Sequence, residues 1–278
     1  MGIYFYRSEQ EETEVIGGKL ANKYDFVTKF DNGLYYVELN GKVGLVDPKG
    51  EKEIVPLKYD GIVDDEKDEF FRTYLDFVNY EDERTKVFTS KEGLLNKKNA
   101  KEIIKPKYDM IYPFNISGFA IVLLEEKYGL INKSGKEIIK PKYDMIYSFF
   151  VKGFNKVKVN NKYGFVNKKG IEIGEIKYED VEWFKNGFAA VELNNKWGFI
   201  NQKGREVIEI KYEDVSNFKN GMALVKLNDK WGIISTKGKI IVPIQFNEIE
   251  DLKIDKHFKK ITILNEKGEK AVFSIKTK

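Results

Sequence analysis

Residues 194–204 read NNKWGFINQKG, and residues 228–238 read NDKWGIISTKG. The same phrase is written twice, one short interval apart. Traced backwards, its central glycine recurs as Gly232, Gly198, Gly164, Gly129, Gly93 and Gly44, at steps of 34, 34, 35, 36 and 49 residues. Lys230, Lys196, Lys162, Lys127, Lys91 and Lys42 stand two places before these glycines. Between lysine and glycine lie Trp231, Trp197, Tyr163, Tyr128, Glu92 and Val43. Self-similarity at a fixed period of this size marks a tandem-repeat architecture.

Two further phrases repeat with it. GEKEIVPLKYD, AKEIIKPKYD, GKEIIKPKYD, GIEIGEIKYE, GREVIEIKYE and GKIIVPIQFN follow each glycine. Segments such as FKNGFAAVEL and FKNGMALVKL precede each lysine, and Tyr24-Asp25 adds a partial earlier copy. GFAAVEL and KWGFIN are short, rich in β-branched and aromatic residues, and separated by Asn194-Asn195. A two-residue turn of that chemistry tolerates positive φ and closes a β-hairpin. No copy keeps an apolar stripe of period 3.6 over ten residues, so helices are excluded. Each unit is predicted to be three or four short antiparallel strands.

On the strand KWGFI, alternation sends Trp197 and Phe199 to one face and Gly198 and Ile200 to the other. Both faces are apolar, so the strand is expected to be buried on both. Gly198 then admits a neighbour where any side chain would clash. One unit cannot bury two faces alone, whereas stacked units can. The fold class is therefore all-β, an open stack or superhelix of ~34-residue repeats. A closed β-propeller is less favoured, because its four-stranded blades usually take about 40–45 residues. One repeat domain is expected over residues 1–278. Residues 1–23 and 248–278 are read as part-repeats or caps around repeats at 24–247, with an irregular insertion at 64–90.

At these residues the chain resembles the WG-repeat family of bacteria, whose units carry Lys-Trp-Gly followed by Gly-Lys-x-Ile-x-Pro-x-Tyr-Asp. Trp197-Gly198 and Trp231-Gly232 match outright, Tyr128-Gly129 and Tyr163-Gly164 depart mildly, and Val43-Gly44 and Glu92-Gly93 depart further. The resemblance implies a β-repeat protein that acts as a binding or scaffold module, and it implies no catalytic residue.

Composition narrows the function. The chain has 278 residues and no cysteine, which removes disulfides, thiolate nucleophiles and cysteine metal sites. Its 48 basic and 44 acidic residues form a mixed surface of net charge +4. Only Arg7, Arg72, Arg84 and Arg205 are arginines, and nucleic-acid sites lean on arginine forks. A nucleic-acid partner is therefore not favoured, although periodic lysines keep it as an alternative. A carbohydrate-binding surface protein, using Trp and Tyr platforms, is a second alternative. The single histidine, His257, has no second histidine to form a metal site with and no G-x-S-x-G serine to serve. No cofactor, metal or enzymatic activity is expected. With no basic-apolar leader and no apolar run long enough for a membrane span, a cytoplasmic location is expected.

The recurring Tyr-Asp pairs, such as Tyr59-Asp60, Tyr108-Asp109 and Tyr143-Asp144, are read as turns each repeat needs rather than as a ring of ligand carboxylates. The local region singled out for binding is the long second unit. It holds Asp64, Asp65, Glu66, Asp68 and Glu69, then Phe70, Phe71, Tyr74, Phe77 and Tyr80, which look exposed. Insertions in repeat proteins map to loops, often on the binding face. An acidic rim beside apolar anchors suits a protein partner with a basic surface, bound as by a scaffold or an inhibitor. A plain extended hairpin is the competing reading of the same stretch. The aromatic of the repeated phrase is expected to be core, so Trp197→Ala and Trp231→Ala should each cost about 3–5 kcal/mol in denaturant unfolding.

Overall fold

The computed structural model describes residues 20–64, 69–82, 85–147, 153–247, 251–255, 260–264 and 270–274. Every regular element is a strand. The first sheet is β1 (Phe26–Lys29), β2 (Tyr35–Leu39), β3 (Lys42–Val46) and β4 (Glu53–Tyr59). The second is β5 (Gly61–Asp64), β6 (Phe70–Asp82), β7 (Thr85–Asn96) and β8 (Glu102–Tyr108). The third is β9 (Met110–Ile111), β10 (Phe119–Leu124), β11 (Lys127–Asn132) and β12 (Glu137–Tyr143). The fourth is β13 (Met145–Ile146), β14 (Phe154–Val159), β15 (Lys162–Asn167) and β16 (Glu172–Tyr178). The fifth is β17 (Asp180–Val181), β18 (Phe188–Leu193), β19 (Lys196–Asn201) and β20 (Glu206–Tyr212). The sixth is β21 (Asp214–Val215), β22 (Met222–Leu227), β23 (Lys230–Ser235) and β24 (Ile240–Phe246). The three-stranded seventh is β25 (Asp251–Asp255), β26 (Lys260–Leu264) and β27 (Lys270–Ser274).

Each sheet pairs its strands in chain order, so the repeat is a four-stranded meander, the upper of the two strand numbers expected. No described sheet draws strands from both ends of the chain, the exchange that a ring closed in that way requires. The chain divides into two compact units. One holds the described residues through Glu126 with Leu130–Glu137; the other holds Lys127–Gly129 and the described residues from Ile138 onward.

The central hairpins close as their sequence demands. Asn194 and Asn195 have φ of 54° and 57°, and Asn160 with Asn161, and Asn228 with Asp229, repeat the pattern. Two successive residues in the left-handed region give a turn whose twist matches the strands. The fourth strand then departs from regular pairing. Trp197 faces Tyr212 and Phe199 faces Ile208, so Gly198 alone stands opposite Glu209, Ile210 and Lys211. The bulged backbone lies over the glycine. A Cβ on Gly198 would meet the Ile208 carbonyl oxygen at 2.6 Å and the Ile210 Cα at 2.8 Å. Gly44 and Gly93 are covered in the same way, each with a carbonyl oxygen at 2.5 Å. The bulge also explains the prolines: Pro56 and Pro106 lie in it, where no ladder N–H is needed.

Both faces of the third strand are buried, as alternation predicts. In the fifth sheet Phe199 packs with Phe218, Ala223 and Val225 of the sixth. Ile200, pointing the other way, packs with Phe165 and Phe184 on the side of the fourth. In the first unit, Leu45 and Val55 meet Phe71 and Leu95 in one core, and Phe70 and Leu94 meet Ala120 and Val122 in the next. These cores therefore lie between successive sheets. Tyr128, Tyr163, Trp197 and Trp231 themselves are half-buried, at the margins. That corrects the expected core position of the tryptophans and lowers the expected cost of Trp197→Ala to about 2 kcal/mol.

A polar clamp ties one repeat to the next. The Tyr108 hydroxyl donates to Glu137 at 2.8 Å, and the Lys107 ammonium reaches the same oxygen at 2.9 Å. Tyr143 and Lys142 hold Glu172 at 3.0 and 2.7 Å, and Tyr24 and Lys23 hold Glu53 at 2.8 and 3.1 Å. Tyr59 and Lys58 hold Glu102 alike. The glutamate is the first residue of the next sheet's last strand. The acid after the tyrosine bridges in a second way. Asp144 accepts from Lys127 Nζ at 2.6 Å and from the Asn160 amide, in the next hairpin turn, at 2.6 Å. Asp109 does so with Lys91 (2.5 Å) and the Glu125 amide (2.7 Å).

The clamp fades along the chain. Lys177 turns to Glu175 (2.9 Å) and Lys211 to Glu209 (2.7 Å), and no hydrogen bond joins Tyr178 to Glu206. Opposite Tyr212 the glutamate position is Ile240.

The glycine under the bulge and a glycine in open space should respond differently. Gly198→Ala is expected to cost about 3 kcal/mol by overpacking against backbone. Gly187→Ala, where φ is +90° and an added Cβ would meet nothing within 4 Å, should cost about 1 kcal/mol. Equal urea midpoints for the two variants would refute the bulge argument.

The clamp has a pH signature. Hydrogen bonds from Lys142 first, then Tyr143, hold the Glu172 carboxyl below its ordinary 4.5. Hydrogen bonds from Tyr24 and then Lys23 do the same to Glu53. A lowered carboxyl contributes stability above pH 4.5 that is lost as pH falls through the folded-state value. Burial first, then the glutamate hydrogen bond, pushes the phenols of Tyr59, Tyr108 and Tyr143 above 10.0. A raised phenol contributes stability below pH 10 that is lost as pH rises beyond it. Stability should therefore decline at both ends. Tyr143→Phe should cost about 1 kcal/mol at pH 7 and flatten part of the alkaline arm, measured as urea midpoints against pH.

Candidate functional site

The second sheet is where the repeat pattern breaks. Leu75 pairs with Lys91 as Leu193 pairs with Lys196 in the fifth sheet. Residues 76–90 thus stand where Asn194-Asn195 make a tight turn. β6 and β7 continue as a hairpin through Val78–Thr89 to Asp82–Thr85, with a register shift between Leu75 and Val78. The insertion is therefore an extended hairpin, and it begins at residue 76 rather than at 64.

That boundary changes the standing of the expected binding residues. Phe71 is fully buried and Tyr74 is 6% exposed. Phe71 belongs to the core between the first and second sheets, and Phe70 to the next core. Phe70, Phe71 and Tyr74, expected as exposed anchors, are instead the inward and cross-packing residues of an ordinary second strand. Phe71 stacks on Phe30 with centroids 5.0 Å apart. Asp64 is on β5 and pairs with Lys97; Glu69 is exposed and pairs with Lys133. Asp65, Glu66 and Asp68 lie outside the described residues, as does His257. Phe77 and Tyr80 lie on the backbone of β6, in the extended part of the hairpin.

The structural repeat positions gather at each sheet in turn. Gly44, Gly129, Gly164, Gly198 and Gly232 lie beneath the fourth strand. Tyr128, Tyr163, Trp197 and Trp231 flank them. Glu92 takes the aromatic position in the second sheet and is buried. Arg72 NH1 lies 3.4 Å from its carboxylate, with side-chain exposures of 12% and 9%. The Ile111 amide donates to Glu92 at 2.7 Å, and Arg72 donates to the Ile111 carbonyl. Burial pushes the Glu92 carboxyl up, opposed by the Ile111 amide and by Arg72. A buried pair of this kind adds little net stability, yet losing one partner is costly because the other charge stays buried. Sequence reading took Glu92 for a degenerate repeat and missed the pair. The signal was an arginine, one of only four, at the strand position where Lys156 stands in the fourth sheet. Lys156 likewise donates to a carbonyl of the next short strand, Val181 O, at 2.9 Å.

A shallow cavity of about 350 Å³ is lined by Lys142, Tyr143, Val159, Asn160, Lys162, Glu172 and Ile176. Its lysines are spent on carboxylates: Lys142 on Glu172, as in the clamp, and Lys162 on Glu179 at 3.4 Å. Among the described residues no three His, Cys, Asp or Glu side chains converge as metal ligands. None of the described residues forms a helix long and apolar enough to cross a membrane.

No curated protein matches the sequence. Among solved structures the chain is similar to a eukaryotic initiation factor, at 9% identity over 90% of this chain and 76% of that one, with a TM-score of 0.34. It is similar to Kluyveromyces lactis Hsv2p at 16% identity, over 78% and 75% of the two chains, with a TM-score of 0.30. Saccharomyces cerevisiae Sqt1 compares at 12% identity, over 90% and 83%, with a TM-score of 0.30. Likeness at this level carries no statement about shape or role. The family description "WG containing repeat" matches residues 22–42, 93–128, 128–163, 163–197, 197–231 and 231–253, leaving the irregular second unit largely outside. More than half of the chain is matched, repeat by repeat and at the period of the sheets: it belongs to the WG containing repeat family.

Proposed function

We propose that the chain is a non-enzymatic protein-binding module, acting as a scaffold or an inhibitor in the cytoplasm, with the β6–β7 hairpin as its principal docking element. The observation that carries this reading is the pairing of that hairpin. β5 pairs with β6 only through Tyr74, and β7 meets β8 only from Glu92 onward. From Val78 to Asp82 and from Thr85 to Thr89 the two strands pair, among the described residues, only with each other, which leaves their outer edges open to a further strand. Free edges of this kind accept a further strand from a partner. The other repeat-wide residues are occupied in holding sheet to sheet, which leaves the irregular unit as the place where recognition costs the fold least.

The nucleic-acid alternative has less support. The lysines of the Lys-Tyr pairs at 58, 107 and 142 are bound to glutamates, and those at 42, 91 and 127 to aspartates. Phosphate binding would have to break those bonds.

Replacing residues 76–90 by Asn-Gly should restore the turn of a regular repeat. We expect far-UV circular dichroism and urea midpoint to stay close to those of the full chain. Proteins captured from the native cell by the full chain should be lost by the shortened one. Capture of the same proteins with unchanged affinity would sink the docking role of the hairpin. Binding whose log affinity falls steeply with log salt would favour the nucleic-acid reading instead.

A further inference from the structure

The fourth sheet carries a pair of tyrosines that the repeat does not use. Tyr147 follows the two-residue strand β13, and its amide donates to the Lys156 carbonyl at 3.0 Å. Tyr163 is the aromatic of the repeated phrase on β15, opposite Lys158. Their rings meet across β14, with centroids 5.8 Å apart at 44°. The Tyr147 hydroxyl donates to the Tyr163 oxygen at 3.4 Å. Tyr147 is 38% exposed. Tyr112 and Tyr128 stand at the same positions of the third sheet, after β9 and on β11.

The tyrosines of the clamp, at 24, 59, 108 and 143, are spent: they are buried and bonded to glutamates. Tyr147 and Tyr163 are bonded to each other, with Lys158 as a further partner of Tyr163, and are overlaid by lysines. Lys156 Nζ lies 4.6 Å from the Tyr163 centroid and 5.4 Å from that of Tyr147, and Lys158 Nζ lies 5.3 Å from Tyr163. The Tyr147 hydrogen bond first, then Lys158 and Lys156, lowers the Tyr163 phenol below its ordinary value. Burial first, then the same hydrogen bond, pushes the Tyr147 phenol up to about 12, so it is the ring contact, and not easy titration of both phenols, that favours coupling. The chain has no thiol to intercept an oxidising equivalent.

We propose that Tyr147 and Tyr163 form a built-in dityrosine site, joined covalently under one-electron oxidation by a haem peroxidase and hydrogen peroxide. Each phenol gives up one electron and one proton to become a phenoxyl radical. The radicals couple at their ortho carbons, forming one carbon–carbon bond. The two ortho hydrogens leave as protons and the phenol oxygens are reprotonated as the rings regain aromaticity. Two hydrogen atoms are lost in total, and one peroxide is reduced to two waters. The product closes the chain from 147 to 163 and staples β13, otherwise held by the Met145–Lys158 and Ile146–Val157 pairs, to the middle of its sheet.

The test is to treat the full chain with peroxidase and limiting peroxide. The expected product is a monomer with dityrosine fluorescence, a mass lower by two hydrogens, a joined pair of peptides containing residues 147 and 163, and a raised Tm. Tyr147→Phe and Tyr163→Phe, checked for folding by circular dichroism, should each lower the fluorescence at least ten-fold. Tyr178→Phe, whose ring is buried in the next core, should leave it unchanged. Fluorescence retained in Tyr147→Phe, a cross-link mapped to other tyrosines, or a product found only as a concentration-dependent dimer would overturn the proposal.

Discussion

A sheet of four short strands with apolar residues on both faces cannot bury itself. Everything else in this molecule follows from that constraint. Phe199 and Ile200 are neighbours in the chain and belong to different cores, so the strand between them is shared by two interfaces. Phe70 and Phe71 repeat the arrangement in the second sheet. Burial in this fold is a property of pairs of repeats, and a single copy of the sequence phrase would leave about half of its apolar surface in water.

Apolar faces alone would let successive sheets slide. The polar contacts set their register. Each clamp puts a buried tyrosine ring and its hydroxyl onto one carboxylate of the neighbour, while the following acid reaches the neighbour's hairpin turn. Exposed lysine–glutamate pairs contribute little individually. The phenol bond matters more because the ring is buried and its hydroxyl has no water to replace the glutamate. The second sheet adds a different device, an arginine–glutamate pair placed where other repeats carry an aromatic. It fixes direction between sheets where a flat ring would not.

Much of this is visible in the residues beforehand. Period, strand chemistry, asparagine turns and two-faced burial all follow from local pattern. The bulge over Gly198 does not, because it is a relation between a glycine and residues 209–211 that no spacing rule joins. The same holds for the clamp, since Tyr108 and Glu137 are recognisable as partners only once the sheets are stacked. The misplacement of Phe71 and Tyr74 had a simpler cause. The second unit lacks the glycine that precedes the second strand elsewhere (Gly33, Gly118, Gly153, Gly187 and Gly221), so its start reads as inserted. Counting back from Gly93 through the Leu75–Lys91 pair places Phe71 and Tyr74 in the regular strand. The proposed site at the hairpin was legible as an irregularity in length, and its free edges only from the pairing.

The clamp's disappearance after Tyr143 bears on how the molecule comes apart. An array stabilised by nearest-neighbour interfaces behaves as a one-dimensional chain of coupled units, whose cooperativity breaks at its weakest couplings. The interfaces after Tyr178 and Tyr212 lose the phenol–glutamate bond but keep the acid bridge, Glu179 accepting from the Asn195 amide at 3.1 Å and Glu213 from the Asn228 and Asp229 amides at 3.0 Å. Opening is therefore expected to be easier among the carboxyl-terminal repeats, which have one kind of polar tie where the earlier ones have two. The fold thus has a softer and a firmer half written into it by which acid, or which isoleucine, follows each turn.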